Sequence, residues 1–260
     1  MDVRNCFNIS AFTAASIAML SVSGAVLAAP GTVVRVAAAA NLKHCLDDGL
    51  VPAFEKATGD QVTVTYGSTQ LLARQLESGK PEDVFLSADT KTVDKLVSEK
   101  ILVGATERVY AIGELVLWTR ADAALHPKSI QDLTNLSYAN IAIANPKLAP
   151  YGEAAVESLH SAGLDPAVAG RIVQAGNISD ALQYAKTGNA DAAFTALSLV
   201  IKDKKDPYII IPASFHKPIR QSAALVQSSA GGTAFLNYLS SASAVVIWKS
   251  YGYTVPGVQH

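Results

Sequence analysis

The sequence predicts an α/β protein of two lobes with a cleft between them. Three observations carry this expectation. Strand-like and helix-like segments alternate over residues 33–99 and again over 141–211, the order that produces sheets covered by helices. Two extended runs, 108–119 and 217–226, leave and rejoin these stretches and read as crossings between lobes. Hydrophobic residues make up 50% of the chain, enough for a sizeable core.

The elements follow in order. Residues 33–38 read as a buried strand. Residues 42–58 read as helix, with apolar Leu46, Leu50, Phe54 and Ala57 on one face and with Gly49 and Pro52 placed to kink or split it. Residues 61–66 alternate as a strand, 69–77 form a helix, and 83–87 form a strand. Asp89 then stands as the cap of a helix over 91–99. This order argues for a mostly parallel sheet. In the second stretch, 141–144, 171–173, 192–195 and 208–211 read as strands, and 153–162 and 181–186 as helices. Two terminal helices, 232–241 and 242–251, are expected to pack back on the first lobe. The expected division is therefore residues 29–112 with 220–260 in one lobe and 113–219 in the other.

Residues 1–28 read as a secretory signal. The run over 9–27 is apolar with only small polar interruptions, and Val26-Leu27-Ala28 suits cleavage after Ala28. The expected compartment is the periplasm. A formal net charge of −1 gives no electrostatic case for nucleic acid or an acidic membrane surface. After cleavage only Cys45 remains, which excludes an intramolecular disulfide and a Cys-rich metal site.

Four loop-to-helix junctions draw attention: Asn41 after the first strand, Ser68-Thr69 after the second, Ala149-Pro150-Tyr151-Gly152 after the strand over 141–144, and Asn177-Ile178. Each offers backbone N–H groups at a helix start, where anions bind. Each also has an ordinary reading: Asn41, Ser68 and Thr69 as helix caps, Tyr151 as a packing residue. Gly67-Ser68-Thr69-Gln70 lacks the second glycine of a nucleophile elbow, and no histidine has a motif placing it beside Ser68, so a secreted serine hydrolase is the weaker alternative.

Taken together, the segments resemble the periplasmic molybdate-binding proteins, the solute receptors of molybdate ABC importers. The resemblance rests on Val36-Ala37-Ala38-Ala39-Ala40-Asn41-Leu42, on Gly67-Ser68-Thr69 with Leu72-Ala73-Arg74-Gln75-Leu76, and on the run from Ser78-Gly79-Lys80-Pro81 to Ser87-Ala88-Asp89. It continues through Asn145-Pro146 with Ala149-Pro150-Tyr151-Gly152, Pro218-Ile219, Gln221-Ser222-Ala223 and Tyr251-Gly252-Tyr253. It implies the two-lobed type II binding-protein fold, a monomer, a membrane permease as partner, and molybdate or tungstate as ligand with no cofactor. It also implies Asn41, Ser68, Thr69, Tyr151 and Ile178 as oxyanion ligands, with no protein atom bound directly to the metal. Many members carry Ser where Asn41 stands, and Tyr where Ala196 stands; Tyr151 is expected to supply a phenol in its place. A receptor for sulfate or another tetrahedral oxyanion is the alternative within the same class.

Overall fold

The computed structural model describes residues 31–257; the expected signal segment, 1–28, lies outside them. The chain forms two five-stranded sheets. The first has strand order β2-β1-β3-β10-β4 and the second β7-β6-β8-β5-β9. In the first, β1 (Val33–Ala39) pairs in parallel with β2 (Gln61–Gly67) and β3 (Val84–Leu86). Strand β4 (Arg108–Gly113) lies at its edge, beside the antiparallel β10 (Ile219–Leu225). In the second, β6 (Ile141–Ala144) pairs in parallel with β7 (Ile172–Ala175) and β8 (Ala192–Ala196). There β5 (Leu115–Trp118) runs antiparallel to both β8 and β9 (Tyr208–Ile210). Each sheet is thus mixed but mostly parallel, with one strand, β10 or β5, running against the other four. The antiparallel members come from the extended runs that pass between the sheets, whose direction is set by the passage and not by a βαβ crossover.

The first helical run is divided. A 3₁₀ turn (Ala40–Leu42) leads into α1 (Lys43–Cys45), a π turn (Leu46–Leu50) follows, and α2 (Val51–Thr58) completes it. Gly49 lies in the π turn, and Pro52 follows it directly in the first turn of α2, where the run changes from π to α geometry. The remaining helices are α3 (Thr69–Glu77), α4 (Lys91–Ser98), α5 (Pro150–Ser161), the short α6 (Asp165–Val168), α7 (Ile178–Lys186), α8 (Ala230–Tyr238) and α9 (Ala242–Ser250). Asp89 accepts the Thr92 N–H at 2.8 Å, so it caps α4 from two residues ahead.

Side-chain alternation divides the core of the first sheet. Val34, Val36, Val84, Leu86 and Leu225 face Phe54 of α2, Phe235 of α8 and Trp248 of α9. Ala37, Phe85 and Ala224, one step along each strand, face Leu72 and Leu76 of α3 and Leu96 of α4. The terminal helices do pack on the first sheet. Another core, around Trp118, Ile141, Ile143, Phe194 and Leu182, holds the second and takes in Ala39, Ala40 and Ala88 of the first.

The chain leaves the first sheet at Gly113 and enters the second at Leu115, so the run over 108–119 joins the two sheets as expected. The return differs. Most of 217–226 is β10, a full member of the first sheet, and the passage itself is 211–218. Pro212 and Pro218 fall within that passage and offer no N–H for a ladder bond.

Phe54 is fully buried and meets Phe235 edge-on, with ring centroids 5.1 Å apart. Phe54→Ala should remove about 3–5 kcal/mol of stability, read as a lower urea midpoint with an unchanged slope.

Candidate functional site

The four junctions converge. Asn41 follows the end of β1, Ser68 the end of β2, Tyr151 comes after β6 and Ile178 after β7. These are two pairs of neighbouring parallel strands, one pair in each sheet. All four junctions therefore lie beyond carboxyl ends of strands, where α/β sheets bind ligands. One small cavity is lined by Asn41, Ser68, Thr69, Tyr151 and Ile178. All five expected residues border it. Their neighbours on its wall include Ala39, Ala40, Ala88, Ala149 and Asn177.

The walls leave donors over and occupy acceptors. At the start of α7, the Asn177 side-chain oxygen accepts the N–H groups of Ser179 (2.9 Å) and Asp180 (3.0 Å), which leaves the Ile178 N–H at the tip. At the start of α5, the Ala149 carbonyl accepts from Gly152 and Glu153, Pro150 has no N–H, and the Tyr151 N–H remains. Ser68 is buried, and its hydroxyl has no hydrogen-bond partner among the described residues. Meanwhile the carbonyls of the first junction are covered from the second lobe: Ser179 Oγ donates to Ala40 O at 3.0 Å and Ser198 Oγ to Asn41 O at 2.8 Å. A buried polar group left without a partner is costly, so an orphan hydroxyl beside free helix-start N–H groups suits a ligand made of acceptors.

Several side chains differ in detail from expectation. Thr69 Oγ1 accepts the Ala88 N–H at 3.1 Å and ties that loop to α3, which makes Ser68 the hydroxyl without a protein partner. Ser68 occupies the cap position of α3 but its side chain makes no capping bond. The Tyr151 phenol accepts from Gln221 Nε2 at 3.3 Å and abuts Gly113; neither residue lines the cavity. What Tyr151 brings to the cavity is its place at the helix start, and the expected phenol donor points instead to the passage between sheets. Burial pushes that phenol well above the usual tyrosine pKa, so it stays protonated. Asn41 Nδ2 donates to Gln221 Oε1 and to the Tyr253 hydroxyl, both at 2.9 Å, and its Oδ1 is buried with no partner among the described residues. Ala196 is fully buried at the end of β8, paired with Leu115.

Charge is held away from the cavity. No Lys, Arg, His, Asp or Glu lines it. Lys43 pairs with Asp47 at 2.8 Å on the surface and lies over the Tyr66 ring. Cys45 is fully buried, and desolvation raises its thiol far above the usual range, which leaves it inert. Ser68 has no base on the cavity wall to activate it as a nucleophile. Among the described residues no cluster of three His, Cys, Asp or Glu is arranged to hold a metal.

Sequence reasoning assigned no role to Gln221, Tyr253, Ser198 or Tyr110. These form a buried polar layer behind Asn41: Tyr253 OH lies 3.0 Å from Ser198 Oγ, and Tyr110 OH lies 3.0 Å from Gln221 Oε1 and 2.9 Å from Ser87 O. Tyr110 is the extra residue of a β-bulge, since Gln221 pairs with Ala111 and Ser222 with Val109. The one local signal is a glutamine inside an otherwise buried strand.

Comparisons with known proteins agree with this geometry. The chain matches the family model of the bacterial extracellular solute-binding proteins over residues 34–254. It is 36% identical to the molybdate-binding protein ModA of Azotobacter vinelandii over 87% of this chain and 91% of that protein. It is 35% identical to the ModA of Rhodobacter capsulatus, over 92% and 95%. The solved periplasmic molybdate-binding protein of Azotobacter vinelandii superposes with a TM-score of 0.81 at 32% identity, covering 86% of this chain and 99% of that one.

Gly152 sits in the first turn of α5 against the end of β6, and an added Cβ would run into the Ala144 carbonyl oxygen. Gly152→Ala should therefore cost about 1–3 kcal/mol of stability. Gly170→Ala, where a Cβ meets nothing within 4 Å, should be tolerated. Chemical denaturation of the two variants side by side checks the difference.

Proposed function

The chain belongs to the bacterial extracellular solute-binding proteins, and we propose that it captures molybdate between its two lobes and delivers it to the membrane permease of an ABC importer. The observation that carries the ligand class is the cavity wall: an orphan buried hydroxyl and free helix-start N–H groups, no charged side chain, and nearby carbonyls covered by serines. Molybdate and tungstate are tetrahedral dianions near neutral pH and carry acceptors only. A wall of donors stabilises them and leaves a protonated ligand with a donor that has no partner. Each charge-assisted bond contributes about 1.5–3 kcal/mol, and each helix start adds about 0.3–1 kcal/mol. Sub-micromolar affinity needs about 8 kcal/mol in total.

In this reading Ser68 donates through its hydroxyl, Tyr151 and Ile178 through backbone N–H groups, and Asn41 and Thr69 complete the wall. The protein acts as a monomeric carrier, exported to the periplasm by residues 1–28 and binding tungstate as well as molybdate. The lobes are residues 29–112 with 220–260, and 113–219. The lack of a base near Ser68 and the solute-binding relatives both favour capture over hydrolysis.

Isothermal titration of the mature protein should show one molybdate bound per chain and far weaker sulfate. Equal affinity for sulfate would replace molybdate by tetrahedral oxyanions in general. Ser68→Ala should weaken molybdate binding about ten- to a hundredfold. Lys43→Ala, whose ammonium is already paired in solvent, should stay within about twofold.

Much of the contact across the cleft is polar, including Gln70 N to Leu148 O at 3.0 Å, the two serine bonds and the exposed Lys91–Glu153 pair at 3.2 Å, and the apolar contact there comes largely from the small residues Ala39, Ala40 and Ala88. The lobes should therefore open and close about the two passages. Small-angle scattering is expected to show a smaller radius of gyration at saturating molybdate; an unchanged radius would remove closure from the proposal.

A further inference from the structure

The polar layer behind Asn41 holds two complementary defects. Asn41 turns its Nδ2 inward, to Gln221 Oε1 and Tyr253 OH, and its unpartnered Oδ1 is the arm directed away from them. Asn41 also lines the cavity. A lone pair on that wall repels an anion. The Tyr151 phenol has the opposite defect: it accepts from Gln221 Nε2 at 3.3 Å, and its own proton has no acceptor among the described residues.

Turning both amides over corrects both defects. The two ends of an amide have nearly the same shape, so the exchange needs little repacking. Asn41 Oδ1 then faces inward and accepts from Gln221 Nε2 and Tyr253 OH across the same 2.9 Å contacts. Gln221 Nε2 also donates to Tyr110 OH, whose proton stays on Ser87 O. Gln221 Oε1 accepts the Tyr151 phenol proton. Ser198 keeps its bond to Asn41 O. Tyr253 gives up its donation to Ser198 or Asn41 O, the Gln221–Tyr151 bond reverses direction, and Tyr110 gains a bond from Gln221. One bond is lost and one gained, so the layer is nearly indifferent between the arrangements. The outcome for the cavity is not: in the second arrangement Asn41 presents an N–H₂ group to it.

We propose that Gln221 is a positioning residue that sets whether Asn41 shows the cavity an acceptor or a donor, and that oxyanion binding turns the Asn41 and Gln221 amides together. This rests on the oxyanion reading of the cavity. Glutamine suits the position because it alone keeps the same shape with donor and acceptor exchanged while reaching Asn41, Tyr110 and Tyr151 at once.

Two variants separate positioning from support. Gln221→Glu keeps the shape and, at a pH high enough to ionise this buried carboxyl, is an acceptor only and holds Asn41 Nδ2 inward. Gln221→Met keeps the length and makes no demand, because Tyr253 OH serves either end of the Asn41 amide. Molybdate titration should find Gln221→Glu about ten- to a hundredfold weaker than Gln221→Met. A purely supporting role predicts the reverse order, since Met loses every hydrogen bond. The carboxylate charge is controlled in the Asn41→Ser background, where a rotating hydroxyl donates whatever Gln221 becomes. There the gap between Glu and Met should shrink by about tenfold. In isotope-labelled wild-type protein, the Asn41 side-chain N–H₂ resonances should shift on adding molybdate, and in Gln221→Glu they should not. A gap of equal size in both backgrounds, or Met weaker than Glu, overturns the proposal while wild-type binding preserves the oxyanion reading. Wild-type protein that binds no oxyanion overturns both, and is seen before any variant is made.

Discussion

The site depends on one constraint: the donors left over at separate loop-to-helix junctions, the Ser68 hydroxyl and the Tyr151 and Ile178 N–H groups, must border one cavity while the acceptors beside them are kept occupied. Helix geometry supplies the donors, since the first N–H groups of any helix have no intrahelical partner. Parallel pairing of β1 with β2 and of β6 with β7 brings the junctions side by side in each sheet. The acceptors are handled one at a time. Ala149 O takes the second and third N–H groups of its own helix turn beyond Tyr151, and Ser179 and Ser198 reach across the cleft to cover Ala40 O and Asn41 O. A fixed lysine would add attraction for any anion. A neutral wall of donors instead selects by how many acceptors the ligand presents.

That arrangement couples recognition to the approach of the lobes. Ser179 and Ser198 belong to the second lobe, and the carbonyls they cover belong to the first. When the lobes meet, the two serines add to the donors the first lobe itself supplies, the Tyr253 hydroxyl to Asn41 O at 3.1 Å and the Lys43 N–H to Ala40 O. The contacts across the cleft combine hydrogen bonds and an exposed ion pair of small individual worth with apolar contacts of the small residues Ala39, Ala40 and Ala88. Gly113 marks the other side of the same joint. It is where the chain leaves the first sheet, and an added Cβ would meet the Tyr151 phenol and come within 2.6 Å of Gln221 Nε2. The passage, the buried polar layer and the cavity wall are therefore in direct contact.

The sequence by itself determined most of the strands and helices, although the helices expected from 153, 181 and 232 begin at Pro150, Ile178 and Ala230. Apolar alternation, Gly67, Pro150 and the Asn177 cap are local signals, and the five residues singled out from them do border one cavity. The run through Gly113 read as a passage, but a long strand within one sheet has the same sequence pattern, and it is the pairing of 108–113 and 115–118 in different sheets that decides it. What only the tertiary structure decided is the direction of β5 and β10, the return passage at 211–218, and the work of each side chain at the site. Thr69 holds Ala88, the Tyr151 phenol turns to Gln221, and the Asn41 amide is engaged from behind by residues 180 and 212 positions away along the chain. The physical reason is range. A helix start is set by dihedral preferences and caps within a few residues. Which hydrogen bonds remain for a ligand is set by every group packed around the cavity, and those partners come from strands and termini that no local pattern connects.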